Sequence, residues 1–306
     1  MNNIVLEAHN ISKCIKGVQV LNNVSIALEQ GKIYGLVGLN GAGKTTLMSI
    51  IAGLVNCDSG RIVLFGESGQ KRVEKNRKFI GSVIGSPAVY PEMTAYENIN
   101  MMRLSRGLPN KELIDQALKA VKLFDARNMK ARHFSLGMRQ RLGIAKALIG
   151  EPELLILDEP NSALDMVSSI EIRELLLKLN KEKNVTMLIS SKTLEEVDQL
   201  ATDFIIIHEG KIIETISHQN LHEKCQRYIA LKTNAPELTA ALFEEKLQTL
   251  NYKIMPDNSI KLFDYVDDVN KVVTCLVENE LEIHSITTNE RSLESYFVQS
   301  IKGELL

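Results

Sequence analysis

The 306-residue sequence lacks the marks of several protein classes. It has no excess of one charge: 36 Lys and Arg stand against 38 Asp and Glu, a net charge of −2. No global basic field therefore recruits DNA or RNA, and nucleic acid is not an expected partner. Its four cysteines, Cys14, Cys57, Cys225 and Cys275, lie far apart without a Cys-x-x-Cys pair. That spacing indicates neither a disulfide framework nor a zinc ribbon. No stretch approaches the roughly 18 apolar residues that span a bilayer. The start, "MNNIVLEAHN", has neither the cationic opening nor the apolar run of a secretory leader. The chain is expected to stay in the cytoplasm. Internal repeats and low-complexity segments are missing as well.

What is present reads as an ordinary globular protein, 44% hydrophobic and 24% charged. The length implies a domain of roughly 200 residues followed by a smaller one. Short apolar, β-branched runs recur: "IVLEA", "KIYGLVG", "GRIVLFG", "FIGSVIG", "LLILDEP", "VTMLISS" and "DFIIIHEGKIIE". Several are continuous rather than alternating, as in strands buried on both faces of a sheet. Helical patterns lie between them, at Thr45 to Leu54, Lys111 to Phe124, Leu136 to Ile149, Val167 to Lys183 and Leu194 to Ala201. Alternation of this kind predicts an α/β domain with a largely parallel sheet over residues 1–217. Residues 87–148 carry almost no strand signal and read as a helical insertion. Beyond residue 217 the order β-α-β-β-α-β plus a last helix predicts a small α+β domain, ferredoxin-like in order, over 218–306.

One stretch, "GLVGLNGAGKTTL", fits G-x-x-x-x-G-K-[ST] from Gly38 to Thr45, between a strand and an apolar-periodic helix. Gly38, Asn40, Gly41, Ala42 and Gly43 let backbone N–H groups converge on phosphate oxygens, and the helix that opens at Lys44, Thr45 and Thr46 adds its positive dipole end. In such a loop Lys44 reaches the β and γ phosphates and the Thr45 hydroxyl ligates Mg²⁺. "LLILDEP" then places Asp158 and Glu159 at the carboxyl end of a buried strand. One acid there holds Mg²⁺ through water and the next polarises an attacking water. Between the two motifs Ser135, a good N-cap, opens a helix through Leu136 and Gly137.

"GLNGAGKTT", "FSLGMRQR", "ILDEP" and "NSALD", in this order and spacing, resemble the nucleotide-binding subunit of an ABC transporter over residues 1–217. The resemblance implies a P-loop NTPase fold of the ABC type, with an antiparallel β subdomain and a helical insertion. It also implies ATP hydrolysis coupled to transport, with ATP and Mg²⁺ as cofactors. Phe134 to Met138, with Ser135 and Gly137, match the signature that binds the γ phosphate of ATP held by an opposing subunit. Ser162 to Asp165 match the D-loop at that interface. The implied partners are a second ATP-binding subunit, a homodimer being favoured over a heterodimer, and a transmembrane permease that holds the chain at the inner face of the membrane. "SPAVYPEMTAYENI" and the C-terminal "SLESYF" resemble more narrowly the bacitracin and lantibiotic export or immunity type.

Three positions depart from that pattern. Ile15 stands where an aromatic stacks on adenine, and an alkyl group packs on the base without π stacking. Gly85 stands at the glutamine position and Lys192 at the histidine position. Lysine offers a point charge to the γ phosphate but not the hydrogen-bond relay of a neutral imidazole. Retained ATP binding with slow hydrolysis at the chain's own site is therefore expected. The alternatives are a regulatory switch or the weak half of a heterodimer. Two further features read as structural. His218, His222 and Cys225, at helical spacing, belong to a solvated helix start, and charge-rich "GQKRVEKNRK" is an exposed loop and helix face.

Overall fold

The computed structural model describes residues 3–162, 164–289 and 292–303. In chain order the first part comprises β1 (Ile4–Ile15), β2 (Val18–Glu29), β3 (Ile33–Val37), α1 (Lys44–Ala52), β4 (Ser59–Leu64), β5 (Glu67–Ser68), α2 (Gln70–Asn76) and β6 (Ile80–Val83). Three helices follow, α3 (Ala95–Ser105), α4 (Glu112–Ala120) and α5 (Leu136–Leu148). The part closes with β7 (Leu154–Leu157), α6 (Met166–Lys183), β8 (Thr186–Ser191), α7 (Glu195–Asp198), β9 (Asp203–His208) and β10 (Lys211–Ser217).

Two sheets share this part. An antiparallel sheet has the order β2-β1-β4-β5, and a six-stranded sheet has the order β10-β9-β3-β8-β7-β6. In the larger sheet β9, β3, β8, β7 and β6 run parallel and β10 returns antiparallel at one edge. Its central strands β3, β7 and β8 are buried at every position, which explains their unbroken apolar spelling. Leu36, Leu47, Ile50, Leu154, Leu188 and Ile205 belong to one core that reaches Leu6 and Leu28 of the antiparallel sheet.

The structure departs from the sequence expectations at β2, which is absent from the predicted strands, and at β1, which runs well past "IVLEA". Both alternate rather than forming continuous runs, and β1 is broken by register shifts, one between Ala8 and Ile11 across Asn10 at φ 52°. Such irregularities disturb the period of two that marks a half-buried strand. The insertion is helical as expected. Its helix α3 begins at a reciprocal cap in which Thr94 accepts from the Glu97 N–H and Glu97 from the Thr94 N–H.

Contacts divide the chain into two units. The second is Gln219–Gln299, and the stretch from Ser300 groups with the first unit, which runs to His218. The second unit has the sequence β11 (Tyr228–Thr233), α9 (Pro236–Glu245), β12 (Tyr252–Ile254), β13 (Ile260–Leu262), α10 (Val269–Glu278) and β14 (Ile283–Asn289). Helix α8 (His218–Cys225) leads into β11 from the start of this unit, and α11 (Leu293–Lys302) follows β14 and runs past the unit's end at Gln299. The sheet order β12-β13-β11-β14, antiparallel throughout, is the split βαβ arrangement. Ile229, Leu231, Phe243, Ile260, Leu262 and Leu276 form its own core. Among the described residues no helix is long and apolar enough to cross a membrane.

Candidate functional site

Register places the site. Val37 of β3 lies beside Ser191 of β8, Ile189 of β8 beside Leu157 of β7, and Leu157 beside Val83 of β6. The carboxyl ends of four neighbouring parallel strands therefore open together, and the loops that leave them carry Gly38–Gly43, Lys192, Asp158–Glu159 and Gly85. Ligands of open α/β sheets bind at such an edge.

The glycine-rich loop turns into α1 through Gly43, at φ 104°, where a Cβ would stand 2.7 Å from Leu21 Cδ2 and 2.9 Å from the Val20 carbonyl oxygen. Only glycine suits that contact with β2. No side chain caps α1, which leaves the dipole end of the helix to a ligand. Lys44 is 5% exposed, and its ammonium donates to the carbonyls of Gly38 (2.6 Å) and Leu39 (3.2 Å). Burial holds its pKa below the ordinary lysine value, against the opposing pull of Glu159 and Asp158.

Asp158 is tied down from three sides. The Thr45 hydroxyl donates to Oδ2 (2.8 Å), the Gly85 N–H reaches the same oxygen (3.3 Å), and the Ser190 hydroxyl donates to Oδ1 (2.6 Å). The hydroxyl of Thr45 and the carboxylate of Asp158 are hard oxygen donors in mutual contact, a pair that fits Mg²⁺. Glu159 follows in the left-handed region, at φ 46°, and its N–H donates to Ser190 Oγ (2.7 Å). Its carboxylate lies between two ammoniums: Lys44 Nζ is 3.7 Å from Oε1 and Lys192 Nζ is 3.0 Å from Oε2.

The expected residues Gly38 to Thr46, Asp158, Glu159 and Lys192 thus belong to one edge of the sheet. Ile15 ends β1 at the hairpin tip opposite Val18, 41% exposed, on the hairpin whose second strand backs Gly43. Ser135, Gly137 and Asp165 belong to a second group. Ser135 caps α5 by accepting the Met138 N–H, and Asp165 caps α6 by accepting the Ser168 N–H. The Ser168 hydroxyl bonds Asp165 (2.6 Å), holding that carboxyl below its ordinary pKa, and lies where a Cβ on Gly137 would clash. Ala163 of the matched "SALD" lies outside the described residues. His218, His222 and Cys225 are carried on α8, where His218 Nε2 is 3.5 Å from Asp198 Oδ1.

Sequence reasoning missed Ser190. Its signal was a pair of serines ending an apolar strand, both 1% exposed, and Ser190 orders the two acids at once. It also read Gly85 only as a lost side chain. Gly85 sits at φ +66° with open space where a Cβ would stand, and contributes its backbone N–H to Asp158. Gly85→Ala should therefore destabilise the fold by about 1 kcal/mol through backbone strain alone, read as a lower midpoint in urea.

A family model described as ABC transporter matches residues 21–162. The bacitracin transport ATP-binding protein of Bacillus licheniformis is 36% identical over 299 residues, 98% of this chain and 98% of that protein. The lantibiotic transport ATP-binding protein SrtF of Streptococcus pyogenes is 40% identical over 223 residues, 72% of this chain and 95% of that protein. A solved structure of an ATP-binding subunit of an ABC transporter superposes with a TM-score of 0.64 at 27% identity, covering 72% of this chain and 92% of that one.

Proposed function

From the chain's membership of the ABC transporter ATP-binding proteins, a family of ATPases that dimerise and work with membrane permeases, we propose that it powers export of a peptide antibiotic or similar amphiphile through a separate permease. The bacitracin and lantibiotic relatives support the substrate class. The observation that carries the site is the Thr45 hydroxyl on Asp158 at 2.8 Å beside the buried Lys44 ammonium. Those residues hold Mg²⁺ and the phosphates of ATP. Mg²⁺, when bound, neutralises phosphate charge. Lys44 neutralises the β and γ phosphates, and Glu159 takes the proton of the attacking water. Ile15 packs on the base. Ser135, Gly137 and Asp165 face the ATP of a second subunit, with a homodimer favoured, and the permease keeps the chain on the inner face of the membrane.

Hydrolysis at the chain's own site is slow in this reading. The Lys192 ammonium occupies the Glu159 oxygen at 3.0 Å, and Gly85 brings no side chain to the metal. The same contact supports a second reading, in which the chain is the weak half of a heterodimer or a switch that binds ATP without meaningful turnover.

The test is assembly of the chain with its candidate permease in lipid vesicles. Export predicts co-purification of the two and Mg-ATP hydrolysis that rises when a bacitracin-type peptide is added. Dimerisation on ATP with no turnover in any assembly would replace export with the switch.

A further inference from the structure

Helices α4, α5 and α6 of the first unit enclose a cleft of about 770 Å³ that shares no residue with the nucleotide edge. That volume lies within the roughly 300–1,000 Å³ of small-molecule sites. Leu113, Ala117 and Ala120 line it from α4, Leu175 and Leu179 from α6, and Leu148 from α5. Both sets follow helical spacing, so two apolar stripes face one space. The lining of α6 runs from Glu171 to Lys183, about 18 Å at the helical rise of 1.5 Å per residue. The cleft is thus a trough, long and apolar in its middle. Its two ends are charged. At the Lys183 end the ammonium lies 3.7 Å from Glu151 Oε1, and both side chains are more than half exposed.

The Glu171 end is built differently. Two cations share one carboxylate there: Arg141 Nη1 is 3.2 Å from Glu171 Oε2 and Lys122 Nζ is 3.8 Å from Oε1. One positive charge is in excess. The Arg141 side chain is only 16% exposed, and its Nε is buried without a hydrogen-bond partner among the described residues. A buried donor of a charged group left unpaired is costly, and an acceptor brought to the guanidinium offsets that cost. The other charged residues of the lining, Glu174 and Lys178 among them, are exposed, so water screens them and they select weakly. We propose that the cleft binds a single-chain amphiphile of the fatty-acid type, with its carboxylate on Arg141 and Lys122 and its chain along Leu175, Leu179 and Ala117. The planar guanidinium matches a carboxylate, and the chain leaves water for the apolar walls. Because α5 opens at Ser135 and α6 at Asp165, the amphiphile lies along the two helices that those caps begin.

The experiment is fluorescence titration of the full chain with dansyl-undecanoic acid, followed by displacement with dodecanoate or with dodecyltrimethylammonium, each below its micelle concentration. Wild type should bind one probe molecule per chain, and dodecanoate should displace it about tenfold better than the cationic amphiphile, as expected for one charge-assisted contact. Ala120→Trp fills the cleft from an exposed wall position and should abolish probe binding with an unchanged melting temperature. Lys122→Met removes a cation whose side chain is 62% exposed, so the fold is kept while the preference for dodecanoate narrows. Glu171→Gln should raise dodecanoate affinity alone, because the carboxylate no longer competes for the two cations. Probe binding that persists in Ala120→Trp, or equal displacement by the two amphiphiles, overturns the proposal. Self-association of wild type that Ala120→Trp abolishes, with no probe bound, would seat a second copy in the cleft and overturn it as well.

Discussion

Glu159→Gln should lower Mg-ATP hydrolysis by roughly a hundredfold or more, the contribution expected of a positioned general base, while ATP binding persists. The substitution keeps the size and one oxygen of the side chain, so the fold should be untouched. The backbone N–H that anchors the residue to Ser190 at 2.7 Å is unaffected. What is lost is the capacity to accept a proton. The loss is confined to turnover because the phosphates rest on other groups: the glycine-rich loop, Lys44 and the Thr45–Asp158 pair. Steady-state hydrolysis by the purified chain, with ATP affinity measured beside it, separates the two effects. A wild-type rate already as low as that of the variant would move productive chemistry to a partner's site, with Lys192 at 3.0 Å from Oε2 as the reason.

The groups that sequence reasoning found share one property: each is adjacent in the chain to a strong local pattern. The glycines and Lys44 stand between a continuous strand and a largely buried, apolar helix, and Asp158 and Glu159 follow a strand buried at all of its positions. Their convergence was less legible, because it depends on β8 lying between β3 and β7, a fact of strand order rather than of spelling. Ser190 was overlooked for that reason. A serine at the end of an apolar run resembles any strand terminus until the neighbouring strand brings two acids against it. Gly85 shows the converse. The missing side chain was visible in the sequence, but the backbone N–H directed at Asp158 and the φ of +66° that supports glycine there belong to the folded loop. The second unit was legible because its helices and strands are short, regular and in chain order, and its core alternates as a half-covered sheet requires.

Lys44→Met should lower ATP affinity by roughly a hundredfold, the loss of charge-assisted bonds to phosphate, while changing the stability of the nucleotide-free chain by no more than about 1 kcal/mol. Two opposing terms meet at this residue. The ammonium satisfies the Gly38 and Leu39 carbonyls, and its removal leaves those acceptors unpaired. Against that, the charge is buried at 5% exposure, and burial is the largest influence on a pKa that lies below the ordinary 10.5. A lysine with a depressed folded pKa binds its proton more weakly when folded than when unfolded. Its charge therefore costs stability below the folded pKa, and the cost fades as pH rises from there to 10.5. Methionine removes that cost together with the hydrogen bonds. The melting temperature of Lys44→Met relative to wild type should accordingly be highest at neutral pH and fall as pH approaches 10.5. Nucleotide binding by wild type should weaken at alkaline pH earlier than an exposed lysine would allow. Thermal melts at pH 7 and 10, set beside nucleotide titrations at the same pH values, measure both. A strongly destabilised methionine variant would assign Lys44 to the fold, and an unchanged nucleotide affinity would remove it from the phosphate site.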